Sequence, residues 1–353
     1  MQTTPIIFRC DASSEVGWGF FRRSYALAEI AQQSTRFRVY FVSKPLHKSL
    51  KKKLTEIHAT SQILENASSV EEDLAATHSL FDLMSRKKIV VVVDNKDWTS
   101  ECFDALKQDK RIILIAVDHG QSRRYNCDIL VNPGLGAEEL SYETNDDCVR
   151  LLGPKYALIR EEIHTLRQHP TERMADSFQF LVSLGAGDRW GYTIKAIEAV
   201  RKSQQRFETH IVVTADWPHT EAAKKLIGNH PRIHLYEDPS FFPQLLARAD
   251  LALCTAGNTT YELAYLGVPM MTVSLDPLHD NVGLSWAKSN IGEHLGRGEA
   301  LTSDLVLEKL EYWMQRDQEL EERGVRSQAI IDGRGKFRIL ERLSKILYQD
   351  SSS

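Results

Sequence analysis

The sequence predicts an α/β protein made of two Rossmann-like domains, because short apolar runs alternate with amphipathic stretches along most of its 353 residues. The apolar runs are rich in β-branched residues and lack polar alternation, which is typical of parallel strands covered on both faces. A chain of this length exceeds the size at which one core usually stops growing, so two domains are expected. The predicted strands are residues 6–10, 38–42, 89–93, 112–117, 129–131, 178–183, 210–213, 232–235, 251–254 and 270–273.

The alternation is interrupted once, between about residues 136 and 177, where the chain is charged and contains Gly153-Pro154 and His169-Pro170. Five predicted strands precede this segment and five follow it. We therefore expect an N-terminal domain over residues 1–150 and a C-terminal domain over residues 151–330. Residues 304–348 have a helical composition with a break at 332–335, and the last helix and tail (331–353) are expected to cross back onto the first domain.

Composition and charge exclude several classes of function. A net charge of -4 argues against general affinity for nucleic acid. The five cysteines are scattered without a C-x-x-C pair, which suits a reducing cytoplasm, and no His/Cys spacing indicates a metal site. The N-terminus does not resemble a signal peptide, and the apolar runs are too short to span a bilayer. The expectation is a soluble cytoplasmic protein with no metal, cofactor or transmembrane segment.

The first candidate site follows the first predicted strand. Gly17-Trp18-Gly19 precedes a helix, and glycines let the backbone approach a ligand while the helix offers free N–H groups to an anion. Arg23 adds positive charge at the helix start. The alternative is a tight turn without a ligand, in which Asp11, Ser13 and Ser14 serve only as caps.

Two further loops occupy corresponding positions in the second half. The loop with Gly185, Gly187 and Asp188 follows the strand at 178–183, and a small-residue segment follows the strand at 251–254. The candidate residues of that segment are Thr255, Gly257, Asn258, Thr259 and Glu262. Its helix N-terminus suits a diphosphate, and Glu262 could accept hydrogen bonds from ribose hydroxyls. The alternative is that Asn258 or Thr259 caps the helix and Glu262 completes a capping box.

Polar residues also follow other predicted strands, where ligands of parallel sheets bind. His279 and Asn281 follow the strand at 270–273, although they could belong to an ordinary surface loop. Asp94 and His119 follow two strands of the first half, and each could instead cap the next helix. These two groups are the favoured ionisable residues of that half.

These segments together resemble the PseG/SpsG family, which includes UDP-2,4-diacetamido-trideoxyaltrose hydrolase and spore coat polysaccharide proteins. The wider relatives are MurG-like glycosyltransferases of the GT-B fold. The stretches that carry the resemblance are residues 8–28, Asp94, 127–132, 152–160, 182–188, 249–269 and Asn281. The resemblance implies a GT-B fold, with two parallel-sheet domains facing a central cleft and UDP held mainly by the second.

Carried over by position, the resemblance implies roles for individual residues. Gly257, Asn258 and Thr259 would contact the diphosphate, and Glu262 would lie at or near the ribose. The backbone near Tyr236 would face the uracil. Asn281 would reach the sugar or the β-phosphate.

Three positions depart from the hydrolase pattern. Phe20 stands where the family has a histidine after Gly-x-Gly, Asp94 is followed by Asn95-Lys96 rather than by His-Tyr, and His279-Asp280 precedes Asn281 where the family often has Asn-Gln. A phenyl ring cannot accept a proton. Loss of a general base typically removes a factor of about 10² to 10⁴ in rate.

The leading functional hypothesis is therefore a UDP-sugar-dependent glycosyltransferase of glycan or surface polysaccharide biosynthesis. Its partners would be a nucleotide-sugar donor and a glycan or small-molecule acceptor, with Phe20 forming part of an apolar wall for the acceptor. Asp11, Asp94 and His119 are the candidate bases. The alternatives are the trideoxyaltrose hydrolase with Phe20 in place of histidine, or a non-catalytic nucleotide-sugar binding protein. The oligomeric state is left open.

Overall fold

The computed structural model describes residues 3–349 except residues 14, 66, 68, 83, 85–86, 119, 121–122 and 170–176. The described chain forms two compact units. The first unit comprises residues 3–13, 19–160 and 333–349, and the second comprises residues 15–18 and Glu161–Asp332.

Each unit is built on a parallel sheet. The strands of the first unit are β1 (Thr4–Cys10), β2 (Phe37–Ser43), β3 (Thr60–Ile63), β4 (Ile89–Asp94), β5 (Ile112–Val117), β6 (Ile129–Asn132) and β7 (Val149–Leu152). The strands of the second unit are β8 (Phe178–Ser183), β9 (Phe207–Val213), β10 (Ile233–Glu237), β11 (Leu251–Thr255), β12 (Met270–Ser274) and β13 (Gly292–Arg297).

Helices connect most of the strands in both units. Those of the first unit are α1 (Gly19–Gln33), α2 (Lys48–Glu56), α3 (Val70–Asp82), α4 (Ser100–Gln108) and α13 (Gly335–Gln349). Those of the second unit are α5 (Glu161–Gln168), α6 (Tyr192–Lys202), α7 (Thr220–Ile227), α8 (Phe242–Arg248), α9 (Asn258–Leu266), α10 (Pro277–Lys288), α11 (Ser303–Met314) and α12 (Asp317–Ile330).

The strand orders within the described residues are β3-β2-β1-β4-β5-β6-β7 and β10-β9-β8-β11-β12-β13. In both sheets the first strand of the unit lies beside its fourth, which is the doubly wound Rossmann arrangement. The paired strands run parallel throughout both sheets. The predicted fold class, two Rossmann-like parallel-sheet domains, is confirmed.

Apolar strands with both faces covered form the centre of each unit. In the first unit Val91 and Leu114 of adjacent central strands are fully buried in one core with Trp98. In the second unit Phe180 and Leu253, which also lie on adjacent central strands, are fully buried in one core. These strands were the easiest to predict because their burial leaves almost no polar residue in them.

Three strands of the described chain were missed by the sequence prediction, and all three lie at sheet edges. They are β3, β7 and β13, whose sequences TSQI, VRLL and GEHLGR contain polar or glycine residues. An edge strand has fewer neighbours to bury it, so the apolar signal is weak there. The interruption predicted between residues 136 and 177 accordingly contains β7 and α5.

The last helix returns to the first unit, as expected. Helix α13 contacts α1, and Arg338 Nη1 donates to the Lys155 carbonyl at 2.7 Å. A Cβ atom on Gly335 would lie 2.3 Å from the Ala157 carbonyl oxygen, so glycine is needed where this helix begins. None of the helices in the described part of the chain combines the length and apolar character that crossing a membrane would require.

Candidate nucleotide-binding site

The candidate site of the second unit lies at the carboxyl ends of β8 and β11. These strands are adjacent, with Ser183 beside Cys254, and the strand order reverses between them. The loops that follow two such strands diverge to opposite sides of the sheet, which opens a crevice where doubly wound domains bind ligands. The two small-residue loops selected from the sequence are the loops that follow these two strands.

The loop after β8 is attached to the end of β11. The Thr255 hydroxyl donates to the Leu184 carbonyl at 3.1 Å. Gly185 has φ +74°, a left-handed conformation that favours glycine, and a Cβ atom there would lie 3.6 Å from Thr255 Oγ1. Gly187 lies next to Leu275, whose Cδ1 would be 3.5 Å from an added Cβ atom. Thr255, Gly185 and Gly187 are therefore brought together.

Asp188, in the same loop, caps helix α6. Its carboxylate accepts hydrogen bonds from the backbone N–H groups of Tyr192 and Thr193 at 2.7 and 2.9 Å, and from the Thr193 hydroxyl at 2.6 Å. Burial raises the pKa of Asp188, although these hydrogen bonds oppose the rise. Its carbonyl oxygen also accepts from Trp217 Nε1 at 2.7 Å. Asp188 thus holds the loop in place from inside the protein.

Helix α9 begins shortly after β11, with Gly257 as its N-cap residue. Glycine has no side chain that could bond to the first N–H groups of the helix. Thr260 donates its hydroxyl hydrogen to the Gly257 carbonyl at 2.6 Å and accepts a hydrogen bond from Trp286 Nε1 at 2.9 Å. Trp286 is buried on α10, so a second helix fixes the position of this N-terminus.

The capping alternative considered for this segment is wrong. The N-cap residue is Gly257 rather than Asn258 or Thr259, and the third helical residue is Thr260 rather than Glu262. Glu262 is the fifth residue of α9 and is buried. Asn258 and Thr259 are half-buried in the first turn.

His279, which follows β12, lies beside Gly257 at the start of α9. Asp276 caps α10, because its Oδ1 accepts from the N–H groups of Leu278 and His279 at 2.9 and 3.1 Å. Its other oxygen lies 3.4 Å from His279 Nδ1. The opposite ring nitrogen, Nε2, lies 3.5 Å from the position of a Cβ atom on Gly257. The imidazole therefore faces the start of α9, whereas Asn281 is exposed on α10.

Tyr236 lies at the end of β10, which strand β9 separates from β8. Its hydroxyl is 3.3 Å from His210 Nδ1, and the two rings are stacked with centroids 6.0 Å apart. His210 Nε2 is 2.8 Å from the side-chain oxygen of Gln179. Burial raises the pKa of Tyr236 and lowers that of His210, so both groups are kept neutral. Phe241 packs edge-on against Tyr236 at 5.3 Å.

The acidic candidates of the first unit are both paired with arginines. Asp11 follows β1, and its two oxygens accept from Arg9 at 2.7 and 2.9 Å. It also accepts from the Lys44 N–H group at 2.8 Å and from Asn95 Nδ2 at 3.3 Å. Asp73 of α3 accepts hydrogen bonds from Nε and Nη2 of the same guanidinium.

The Arg9 guanidinium is fully buried between the two carboxylates. Burial alone lowers the pKa of Arg9, but the hydrogen bonds to Asp73 and Asp11 outweigh it and raise the pKa above its usual range. Sequence reasoning overlooked Arg9 and Asp73. An arginine within the apolar run IIFRC was the available signal, since a charge in a covered strand needs a buried partner.

Asp94 lies at the end of β4, beside Cys10 of β1. It forms a two-point ion pair with Arg23 of α1, at 3.0 Å from Nε and 2.8 Å from Nη2. The Arg23 guanidinium carbon also lies 5.4 Å from the ring centre of Phe20. Gly17 has φ +71°, and Gly19 is the first residue of α1. The candidates of this loop therefore cluster at the start of α1, whereas His119 lies outside the described residues.

A second buried polar cluster in the first unit was not predicted. Asp118, at the end of β5, accepts hydrogen bonds from the hydroxyls of Tyr125 and Tyr142 at 2.5 Å and from Asn132 Nδ2 at 3.0 Å. Burial, followed by the negative charge of Asp118, raises the pKa of Tyr142. Only the polar triplet after β5 was visible in the sequence, because both tyrosines come from later parts of the chain.

Comparison with known proteins identifies relatives of low sequence identity. The chain is 24% identical over 264 residues to UDP-2,4-diacetamido-2,4,6-trideoxy-beta-L-altropyranose hydrolase of Campylobacter jejuni, covering 74% of this chain and 88% of that protein. It is 22% identical over 275 residues to the spore coat polysaccharide biosynthesis protein SpsG of Bacillus subtilis, covering 77% of this chain and 80% of that protein. This low-identity similarity to two proteins supports the resemblance to the PseG/SpsG family that the sequence motifs indicate.

A third relative is an uncharacterized protein of Methanocaldococcus jannaschii, 20% identical over 278 residues. The match covers 74% of this chain but only 54% of that protein, so the chain spans about half the length of this relative. No family model matches the sequence.

Solved structures share the fold over nearly the whole chain. UDP-GlcNAc 2-epimerase of Neisseria meningitidis, solved with UDP-GlcNAc bound, has a TM-score of 0.70 at 13% identity and covers 98% of this chain and 100% of that one. MurG of Acinetobacter baumannii has a TM-score of 0.64 at 14% identity and covers 97% of this chain and 99% of that one. At these identities the likeness establishes the fold alone, which consists of two parallel-sheet Rossmann-like domains.

Proposed function

We propose that the chain is a UDP-sugar-dependent enzyme that binds its donor in the second unit, with the diphosphate at the N-terminus of α9. The observation that carries this proposal is the convergence of Gly185, Thr255, Gly257 and His279 at the crevice between β8 and β11. The first turn of a helix favours negative charge, and a glycine N-cap lets a phosphate group approach the backbone closely.

His279 complements the helix N-terminus in this proposal. Asp276 lies 3.4 Å from His279 Nδ1, which favours the hydrogen on that nitrogen and, when the ring is charged, stabilises the imidazolium. The other nitrogen faces Gly257 and would hydrogen-bond to a diphosphate oxygen. Because charge builds up on the diphosphate as the glycosidic bond breaks, donors fixed in this position stabilise the leaving group in the transition state.

The remaining part of the nucleotide would extend along α9 and the edge of the sheet. Glu262 is buried one turn into α9, where its carboxylate would accept hydrogen bonds from the ribose hydroxyls. Tyr236 offers a ring on β10 to the uracil. The hydrogen bond between the Tyr236 hydroxyl and His210 Nδ1 holds the tyrosine ring in position. Asn258, Thr259 and Asn281 are assigned to the diphosphate and sugar.

The reaction that we favour is transfer of the sugar to a hydroxyl of a glycan or small-molecule acceptor. Asp11 and Asp94 each form a hydrogen-bonded ion pair with an arginine, so their carboxylate oxygens are already engaged inside the first unit. Phe20 stands where the family resemblance implies a histidine. Polysaccharide biosynthesis, the process named for the relative SpsG, agrees with transfer.

Hydrolysis of the donor is the second candidate, because the Campylobacter jejuni hydrolase aligns over 88% of its length. The two reactions differ in the need for an acceptor. Under transfer, release of UDP from the donor requires an acceptor. Under hydrolysis, water suffices.

The test has a binding step and a turnover step. Calorimetry should detect binding of UDP to the full chain and of CDP or GDP only more weakly, and absence of UDP binding would refute the proposal. A panel of UDP-sugars, each with and without a mixture of saccharide acceptors, would then be assayed for released UDP. Release that depends on the acceptor supports transfer, and equal release without it supports hydrolysis.

A further inference from the structure

Two cysteines of the first unit lie in contact just before two neighbouring strands. Cys127 is two residues before β6 and Cys148 is directly before β7, and their Sγ atoms are 3.6 Å apart. The backbone sets this contact. The Val149 N–H donates to the Asp128 carbonyl at 2.9 Å, and the Cys127 N–H donates to Asn145 Oδ1 at 2.9 Å.

The two thiols differ in exposure and acidity. Cys127 is fully buried, whereas Cys148 is half-buried. The hydrogen bond between the two thiols lowers the pKa of Cys148, and the positive charge of Arg150 lowers it further against the opposing effect of burial. The same hydrogen bond, together with burial, raises the pKa of Cys127. Thiolate character and access therefore coincide at Cys148, which is the combination found in oxidation-sensitive cysteines.

The other cysteines lack this combination. Cys10, Cys102 and Cys254 are buried. Burial raises the pKa of Cys254 to about 12 and also raises that of Cys10. No other pair of sulfur atoms within hydrogen-bonding distance is found in the described residues. Oxidation should therefore be confined to the Cys127–Cys148 pair.

We propose that Cys127 and Cys148 form a peroxide-sensitive disulfide site. The Cys148 thiolate attacks one oxygen of hydrogen peroxide, the O–O bond breaks, and Cys148 sulfenic acid and hydroxide are formed. The sulfur of Cys127 then attacks the Cys148 sulfur, the S–O bond breaks, and the departing hydroxide takes the Cys127 proton as water. Two thiols and one peroxide give one disulfide and two water molecules.

The geometry allows this bond with a small movement. A disulfide has a sulfur–sulfur distance of about 2.05 Å, so the two sulfur atoms must approach by about 1.5 Å from their present contact. The bond would fasten the edge strand β7 to β6 and close a loop over residues 128–147. That loop contains Asn132 and Tyr142, which both hydrogen-bond to Asp118.

The test is peptide mapping of the folded full chain after treatment with hydrogen peroxide. The expected result is a mass loss of two hydrogen atoms and a linked peptide that joins Cys127 to Cys148, both reversed by dithiothreitol. A native protein in which Cys148 reacts no faster than Cys254, or in which Cys148 is oxidised without forming the link, would overturn the proposal.

Three single variants assign the steps. Cys127→Ser should stop at a sulfenic acid on Cys148 that dimedone captures, and Cys148→Ser should keep its reduced mass. Cys102→Ser, a change at a buried cysteine of the same unit, should still form the link. Capture of dimedone at Cys127 instead of Cys148 would contradict the proposed order of attack.

Discussion

Replacement of Gly257 by alanine should weaken UDP binding while leaving the stability of the fold nearly unchanged. Gly257 has φ −129°, which any residue can adopt, and the new Cβ atom would lie 3.5 Å from His279 Nε2 at ordinary contact distance. Alanine is a poorer N-cap than glycine by roughly 0.5 kcal/mol, and the reduced entropy of the unfolded chain offsets about the same amount. The free energy of unfolding should therefore change by less than about 0.5 kcal/mol.

In Gly257→Ala the free energy of UDP binding should change much more than the free energy of unfolding. The reason is that the added methyl group occupies the space between the N-terminus of α9 and His279. A hydrogen bond to a charged group is worth about 1.5 to 3 kcal/mol. Loss of one such bond raises the Kd about tenfold to about a hundredfold. Calorimetric titration of UDP into the wild type and Gly257→Ala measures this ratio.

Gly267→Ala is the matched control, because it makes the same chemical change at the other end of α9. Gly267 has φ +80°, and a Cβ atom there would lie 2.5 Å from the Gln328 side chain. This variant should lose about 1 to 2 kcal/mol of stability in denaturant unfolding. The affinity of its folded fraction for UDP should stay at the wild-type value. An unchanged Kd in folded Gly257→Ala would refute the placement of the diphosphate.

Three further changes have defined outcomes. Glu262→Gln should reduce the preference for UDP over 2′-deoxy-UDP by about tenfold in calorimetry, since only the ribose contact changes; equal losses for both ligands would place Glu262 elsewhere. Asp94→Asn should lower the free energy of unfolding in urea by about 3 kcal/mol, because it removes the charge of the buried carboxylate that pairs with the mostly buried Arg23. A loss below about 0.5 kcal/mol would contradict that ion pair. In the folded state, burial holds the pKa values of His210 on β9 and His294 on β13 below the ordinary histidine value of 6.5. The unfolded state therefore binds protons first, so the Tm should fall as the pH drops below about 6.5, and a Tm that rises there would contradict the burial of these rings.

The fold could be predicted from the sequence because its central strands, such as β4 (IVVVVD) and β5 (IILIAV), are nearly free of polar residues. The strands that escaped prediction lie at the edges, and partial exposure is the reason. In β3 (TSQI) no side chain is fully buried, and in β13 (GEHLGR) glycine and charged residues outnumber apolar ones. Partly exposed strands such as β3 and β13 can contain polar residues, so they lack the apolar run by which buried strands are predicted.

The site was predictable only in part. Loops rich in glycine mark the carboxyl ends of β8 and β11, so Gly185 and Gly257 were visible. The partners of Asp11 and Asp94 were not, because an ion pair such as Arg23 with Asp94 joins residues far apart in the chain. The sequence prediction placed Asp188 among the substrate-binding candidates, although a carboxylate in a loop can also face a helix end. In the structure the Asp188 carboxylate accepts hydrogen bonds from the N–H groups of Tyr192 and Thr193 and so caps α6.

The return of α13 to the first unit has a consequence for synthesis of the chain. The first unit is discontinuous, because β1 and α13 belong to it and Glu161–Asp332 lies between them. On the ribosome the second unit can therefore complete its fold while the first still lacks its last helix, although the first is synthesised earlier. The order of folding would reverse the order of translation. A chain cut after Asp332 should keep a cooperatively folded second unit and leave α1 without the helix that covers it.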